Sequence, residues 1–210
     1  MNNLKKSKIL PIFTIILSLL IFILVSAFSY VNAIFDNISD SVFRLHVIAN
    51  SDSEEDQNLK YLVRDAVLDY MNSITSETRN KQEAIQIAQS HKDEFNRIAK
   101  DVIVKNGYDY DVKIEIGNFF FPTKQYGDIS LPAGNYDALK IEIGEAKGQN
   151  WWCVMFPPLC FVDVSSGVVP EESKEIMNEN LSSEEYVLVS NKEDINIKVK
   201  FKLIEFFKSL

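Results

Sequence analysis

Between Ile9 and Phe35 the chain runs for 27 residues without a charged side chain. A run that long has no polar face to turn toward water, so it does not read as the core-packed helix of a soluble protein. Its densest part, Ile9–Val25, is 17 residues. As a helix that part is roughly 26 Å long, a little short of a hydrocarbon core of about 30 Å, and continuation to Ala33 allows a span with some tilt. Lys5, Lys6 and Lys8 precede it and are the only charges in the first 35 residues. The pattern fits a secretory signal, with Val31 and Ala33 as the small residues before a cut at Ile34 and Ala27 and Ser29 as a second option. It also fits an uncleaved anchor, the second reading. Both readings hold the lysines in the cytoplasm and send everything after residue 35 across the membrane. The expected organisation is a signal or anchor over residues 1–33, a tether over 34–41 and one exported domain over 42–210.

Charge bears on what that domain binds. Three of the 22 basic residues lie in the leader, so the 177 residues from Ile34 onward carry 19 basic against 30 acidic side chains, a balance of −11. Nucleic-acid binding runs on lysine and arginine neutralising phosphates, and this balance excludes it as the leading function.

The body alternates between helical and strand periods. Phe43, Leu45 and Val47 alternate with Arg44 and His46, the pattern of a half-buried strand. Ser51 and Glu54 have capping-box spacing, with Glu54, Glu55 and Asp56 suited to a helix N-terminus. Leu59, Leu62, Val63, Ala66, Val67 and Tyr70 then form one apolar stripe. A second helix is expected from Asn80 to Asn106-Gly107, with Ala84, Ala88, His91, Phe95, Ile98 and Val102 on one face and His91 packed and hydrogen-bonded there. Strands follow at Val112–Ile116, Leu139–Ile143 and Trp151–Phe156, with Pro122, Gly127, Pro132 and Gly134 marking a turn-rich loop between the first two. Tyr186–Val189 also reads as a strand, and so by period does Ile195–Leu203, with winding into a helix from Phe201 onward as the alternative. The fold class is α+β: an apolar N-terminal helix, then a two-helix layer on a mainly antiparallel sheet.

Both tryptophans and both cysteines fall in Trp151-Trp152-Cys153-Val154-Met155-Phe156-Pro157-Pro158-Leu159-Cys160. The cysteine spacing is not that of a zinc or dithiol redox motif. A bend at Pro157-Pro158 brings Cys153 back toward Cys160, and an oxidising compartment favours a disulfide, which would contribute roughly 2–3 kcal/mol by closing so short a loop. Two buried thiols, or a reactive thiol working with His46, are the other readings. There is no glycine-rich phosphate loop, Gly-x-Ser-x-Gly elbow or His-Glu-x-x-His, and the seven glycines leave little material for a nucleotide cradle. No cofactor and no metal site is expected.

Two segments carry a family resemblance. The first is Phe43-Arg44-Leu45-His46-Val47-Ile48-Ala49-Asn50-Ser51-Asp52-Ser53, continuing through Asp56-Gln57-Asn58-Leu59-Lys60 to Val63-Arg64-Asp65-Ala66-Val67-Leu68. The second is Pro132-Ala133-Gly134-Asn135-Tyr136-Asp137-Ala138-Leu139, then Ile141–Gly144 and Asn150–Cys160. Together with the exported N-terminus they resemble stage II sporulation protein R of endospore-forming bacteria. Glu145-Ala146-Lys147-Gly148 departs from the more glycine-rich turn expected there.

The resemblance implies a signalling protein rather than an enzyme. Such a protein is made in the forespore, exported by the secretion machinery into the space between forespore and mother cell, and required there to activate a membrane-embedded aspartic protease. That protease processes a pro-sigma factor. The positions that match the motifs, and are therefore expected to contact the protease, are His46, Asn50, Asp52, Trp151, Trp152, Pro157 and Pro158. The competing classes are an envelope thiol enzyme using Cys153 and His46, and a cell-wall or small-ligand binding module built on the clustered aromatics.

Overall fold

The computed structural model describes residues 2–160 and 169–190. The strand expected over Ile195–Leu203 lies outside the described residues. In chain order the elements are α1 (Asn2–Ser41), β1 (Phe43–Ile48), α2 (Glu54–Thr75), α3 (Lys81–Ser90), α4 (Lys92–Lys105), β2 (Val112–Phe121), β3 (Lys124–Tyr126), β4 (Ile129–Leu131), β5 (Gly134–Ile143), β6 (Asn150–Phe156), α5 (Glu171–Asn180) and α6 (Ser183–Val189). The fold is α+β, an apolar N-terminal helix followed by a domain of helices and a mixed sheet.

From Pro11 to Ser41, α1 is long and apolar enough to cross a membrane, and its most apolar stretch is covered by nothing else among the described residues. Residues 34–41 are its last turns. Ile38 and Val42 are buried in the domain, Asn37 donates a 2.7 Å hydrogen bond to Glu185 of α6, and Lys81 of α3 donates one of 3.0 Å to the Ser39 carbonyl.

The four-stranded sheet has the order β2-β5-β1-β6. β5 pairs antiparallel with β2, and β6 antiparallel with β1, while the central β1–β5 pair is parallel. β1 is thus an inner strand. Both of its faces are covered, so Arg44 and His46 are buried along with Phe43, Leu45 and Val47. The expectation of a half-buried strand fails here because alternation reports polarity, and a second layer can cover a polar face as well as an apolar one.

On one face, Phe43, Leu45, Val47, Leu139, Ile141 and Ile143 meet Leu59, Val63 and Val67 of α2 and Phe95, Ala99 and Ile103 of α4. α2 begins two residues later than the Ser51–Glu54 pattern predicts. Ser53 is its N-cap, accepting from the Asp56 amide, which releases Ser51 and Asp56 for another task. Leu62 faces solvent at 46% exposure, so the buried stripe is narrower than expected and shifts toward Lys60 and Met71.

The second helix is broken in two. His91 ends α3 and begins α4 with φ −105° and ψ 14°, outside helical values. The Tyr70 hydroxyl lies 2.6 Å from its Nδ1. The break lets α4 turn its own apolar face to the sheet, a change of direction that a continuous 3.6 period does not reveal.

On the opposite face a smaller core gathers Ile38, Val42, Phe121, Tyr136, Ala138 and Val154 with residues of β4, α5 and α6. The turn-rich loop contributes the β3–β4 hairpin, closed at Gly127 with φ +56°. Tyr186–Val189 is helical, a correction to the strand expected there. Ser182 and Glu185 form a reciprocal capping box, and this local hydrogen bonding outweighs the β-propensity of Tyr and Val. Val189 turns inward while Val187 and Leu188 stay exposed.

Candidate partner-contact surface

Pairing of β1 with β6 sets His46 opposite Trp152, Val47 opposite Trp151 and Ile48 opposite Asn150. The two tryptophans therefore leave the sheet on opposite faces. Each is half-buried.

On the face away from the helix layer, the Trp152 indole stacks on the His46 ring with centroids 3.7 Å apart and planes 21° from parallel. Phe121 meets Trp152 edge-on at 4.8 Å. His46 Nε2 lies 2.6 Å from Asn150 Oδ1, so the acceptor oxygen places the ring proton on Nε2. Nδ1 is buried with no partner among the described residues. Burial pushes the His46 pKa below its ordinary 6.5 despite the bond to Asn150, and Lys140 pushes the same way. The ring is therefore neutral at pH 7.

The sign of the resulting pH effect is fixed. The unfolded chain takes up this proton near 6.5 and the folded chain only at lower pH. Stability is full above that value and is lost as pH falls through the folded pKa. Urea midpoints are expected to hold steady from about pH 7 to 8 and to decline as pH falls below about 6.5. His46→Gln should flatten that decline, and an unchanged slope would show that its source lies elsewhere.

Beneath His46 on the same strand face lies Arg44, which is fully buried. Its guanidinium sits 4.1 Å from the Phe121 ring centroid, 4.6 Å from Tyr136 and 5.8 Å from Tyr126. Among the described residues it donates one hydrogen bond, to the Tyr126 hydroxyl at 2.6 Å. That hydroxyl donates on to the Trp152 carbonyl at 3.3 Å. Burial raises the Tyr126 pKa and pushes Tyr136 up to about 12, so neither phenol is an anion that could neutralise Arg44. The sequence does not reveal the Asn150 contact or the Arg44 cage, because a polar residue alternating with apolar ones reads as solvated.

Farther out, the face carries Lys140 bridging Glu115 and Glu142 at 3.0 Å each, with Lys113 3.1 Å from Glu115 and 3.3 Å from Glu142. These alternating charges give the surface beyond the His46–Trp152 stack no strong sign.

Trp151 faces the helix layer. Tyr61 meets it edge-on at 5.4 Å, and the Arg64 guanidinium lies 4.3 Å from its ring centroid.

Asn50 and Asp52 part company. Asn50 donates to Asp56 Oδ2 at 2.8 Å, and its Oδ1 accepts from the Glu145 amide at 2.9 Å. Ser51 Oγ donates to the same Asp56 oxygen at 2.5 Å. These bonds hold the Asp56 pKa down against the opposing effect of burial, which by itself is the largest influence. Backbone bonds from Lys147 to Asn50 and from Gly148 to Ala49 complete the junction. Asn50 therefore works as a lock between the β1–α2 turn and the β5–β6 turn. Asp52 is exposed beside it.

Pro157 and Pro158 lie at the other end of β6. Pro157 is buried. The Pro158 carbonyl accepts from Ser173 Oγ at 2.8 Å, and its ring borders a hollow of about 320 Å³ between the end of α2 and α5. Cys153 and Cys160 are joined as a disulfide across this bend, with Cα atoms 5.5 Å apart. Cys153 opposes Leu45 and belongs to the helix-side core. His46 projects from the other face. The structure thus does not bring Cys153 to His46, as a thiol–imidazole pair would require.

The seven motif residues do not form one patch. The structure gathers His46 and Trp152, turns Trp151 to the opposite face, uses Asn50 internally, leaves Asp52 at the tip and sends Pro157 and Pro158 to the far end.

Both motif segments fall within residues 39–166, which match the family model for stage II sporulation protein R. Stage II sporulation protein R of Bacillus subtilis (strain 168) is 40% identical over 138 residues, covering 66% of this chain and 62% of the relative. The aligned stretch thus spans less than two thirds of the relative's own length. No solved structure matches. With more than half of its length matched to the family model, the chain belongs to the stage II sporulation protein R family.

Proposed function

We propose that this protein is an exported sporulation signal. Made in the forespore, it carries its acidic domain across the forespore membrane and triggers a membrane-embedded aspartic protease, which processes a pro-sigma factor in the mother cell. It does so as a ligand, with no chemistry of its own. The observation that carries this reading is the family match over residues 39–166, joined directly to a membrane-length apolar helix behind a cationic lead. The separation of Cys153 from His46 by the thickness of the sheet weighs against the thiol-enzyme alternative. An outside ligand switches a protease by binding one of its pre-existing arrangements more tightly than another.

The test is co-expression of the full chain with the protease and the pro-sigma factor in a host that does not sporulate. Processing is expected with the full chain and is expected to vanish when Ile9–Ala33 is deleted. Processing without this protein would sink the proposal. In the same assay Trp152→Ala is expected to reduce processing at least tenfold with export unchanged, because a half-exposed tryptophan on a rigid strand is the kind of side chain that dominates protein contacts. Normal processing by that variant would remove Trp152 from the interface.

A further inference from the structure

Around Trp151 two cationic side chains and a buried indole N–H gather. The Lys60 side chain belongs to a residue only 1% exposed, and its ammonium is satisfied by neutral groups, Gln57 Oε1 at 2.5 Å and the Gln149 carbonyl at 3.1 Å. Tyr61 offers its ring to two cations, Lys60 Nζ at 4.7 Å and the Arg64 guanidinium at 5.0 Å. Arg64 also covers the Trp151 ring, and Trp151 Nε1 is buried with no acceptor among the described residues. The carboxylate that does meet Arg64 is the neighbouring Asp65, at 2.7 Å and half exposed. A surface pair of that kind contributes little, on the order of 0–1 kcal/mol, and is readily exchanged. Burial and the nearby Arg64 both depress the Lys60 pKa, with exposed Asp52 offsetting part of the effect.

We propose that the Arg64–Trp151–Tyr61 surface, backed by buried Lys60, is a docking site for a carboxylate side chain from an acidic segment of the partner protein. The argument is charge complementarity at a place built for it. Guanidinium stacked on indole is held flat, and the Nε–Nη2 edge that now meets the half-exposed Asp65 is the fork a planar carboxylate would take over. The aromatic platform supplies apolar contact at small entropic cost. A carboxylate seated over Arg64 also adds to the screening between Arg64 and Lys60 that the exposed Asp65 and Asp52 now supply. The site lies on the helix side of β6, opposite the His46–Trp152 stack, so a partner using both would grip the two faces of this edge strand. Only the identity of the partner as the protease rests on the signalling reading.

The test uses the full chain in detergent micelles with its tryptophan indoles labelled with nitrogen-15. A tetraglutamate peptide blocked at both ends is the probe, with the tetraglutamine peptide and inorganic phosphate as controls. The Trp151 indole signal is expected to move saturably with tetraglutamate and to stay still with tetraglutamine. Arg64→Gln is expected to weaken the response at least tenfold, with the Trp152 signal reporting an intact fold. Arg64→Lys, which keeps the charge and loses the flat fork, is expected to fall between. No movement, equal movement with tetraglutamine, or an undiminished response in Arg64→Gln overturns the site. Equal movement with phosphate overturns the carboxylate assignment. A Trp151 response from a chain that fails to support processing sinks the signalling reading and leaves this site standing. Processing that is unaffected by Arg64→Gln detaches the site from the protease.

Discussion

Gly148→Ala is expected to destabilise the exported domain by about 3 kcal/mol, at the upper end of what overpacking costs. For a domain of this size that is a fall of roughly 6–12 °C in melting temperature. An added Cβ would overlap the Ser51 carbonyl oxygen and lie 2.6 Å from its carbon and 2.9 Å from Ala49 Cβ. Two of these neighbours are backbone, so neither can rotate away. The Gly148 amide bond to Ala49 and the Lys147 bond to Asn50 would be strained together, each normally contributing about 1 kcal/mol. The side chains of Asn50, Ser51 and Asp56 would then lose the turn they hold. Thermal unfolding followed by circular dichroism measures this directly. A shift of less than about 2 °C would show that the two turns are not locked as described. The turn expected to be more glycine-rich keeps a glycine at the position where the backbone of the neighbouring turn is closest.

Arg44 gives the second large effect, and a less intuitive one. Arg44→Ala is expected to cost about 3–5 kcal/mol, because it empties a cage walled by Phe121, Tyr136 and Tyr126. Arg44→Met is expected to stay within about 1.5 kcal/mol of the native chain, since it fills similar volume and removes a cation that has no buried anion beside it among the described residues. The Tyr126 hydroxyl keeps its acceptor at the Trp152 carbonyl in either case. Arg44→Lys should be worse than Met. It retains a charge while losing the planar group that lies against three rings. Urea denaturation of the three variants ranks them. If Met costs as much as Ala, the guanidinium is bound to an anion in the native protein and the charge is neutralised after all.

Much of this architecture is legible in the order of the amino acids. The apolar lead, the strand periods at Val112–Ile116 and Leu139–Ile143, and the α2 stripe follow from side-chain period, because burial of one face is what period records. The features that period does not reach have a common cause. His91 lies in phase with the stripe on both sides, and period carries no information about a break that preserves phase. Tyr186–Val189 has strand-forming residues, but its fate is decided upstream by Ser182 and Glu185. Arg44 and His46 occupy polar positions of an alternating strand, and only the second core with Phe121, Tyr136 and Val154 reveals that this face is covered too. The motif residues illustrate the same limit on the functional side. Asn50 and Trp152 are both prominent in the sequence, yet one holds two turns together and the other faces outward.

The docking of the last turns of α1 divides that helix by task. Tyr30 already reaches Glu184 of α6, at 3.0 Å, so the turns from there to Ser41 lie alongside the folded domain. The stretch from Pro11 to Ser29 that remains is 19 residues, roughly 28 Å of helix, close to the thickness of a hydrocarbon core. An uncleaved chain would therefore hold its domain flush against the bilayer, like a cap seated on a post, able to reach only what stands low on the same surface. Cleavage before Ile34 would give up Tyr30 while keeping Asn37 and Ile38, freeing the cap without unseating its rim.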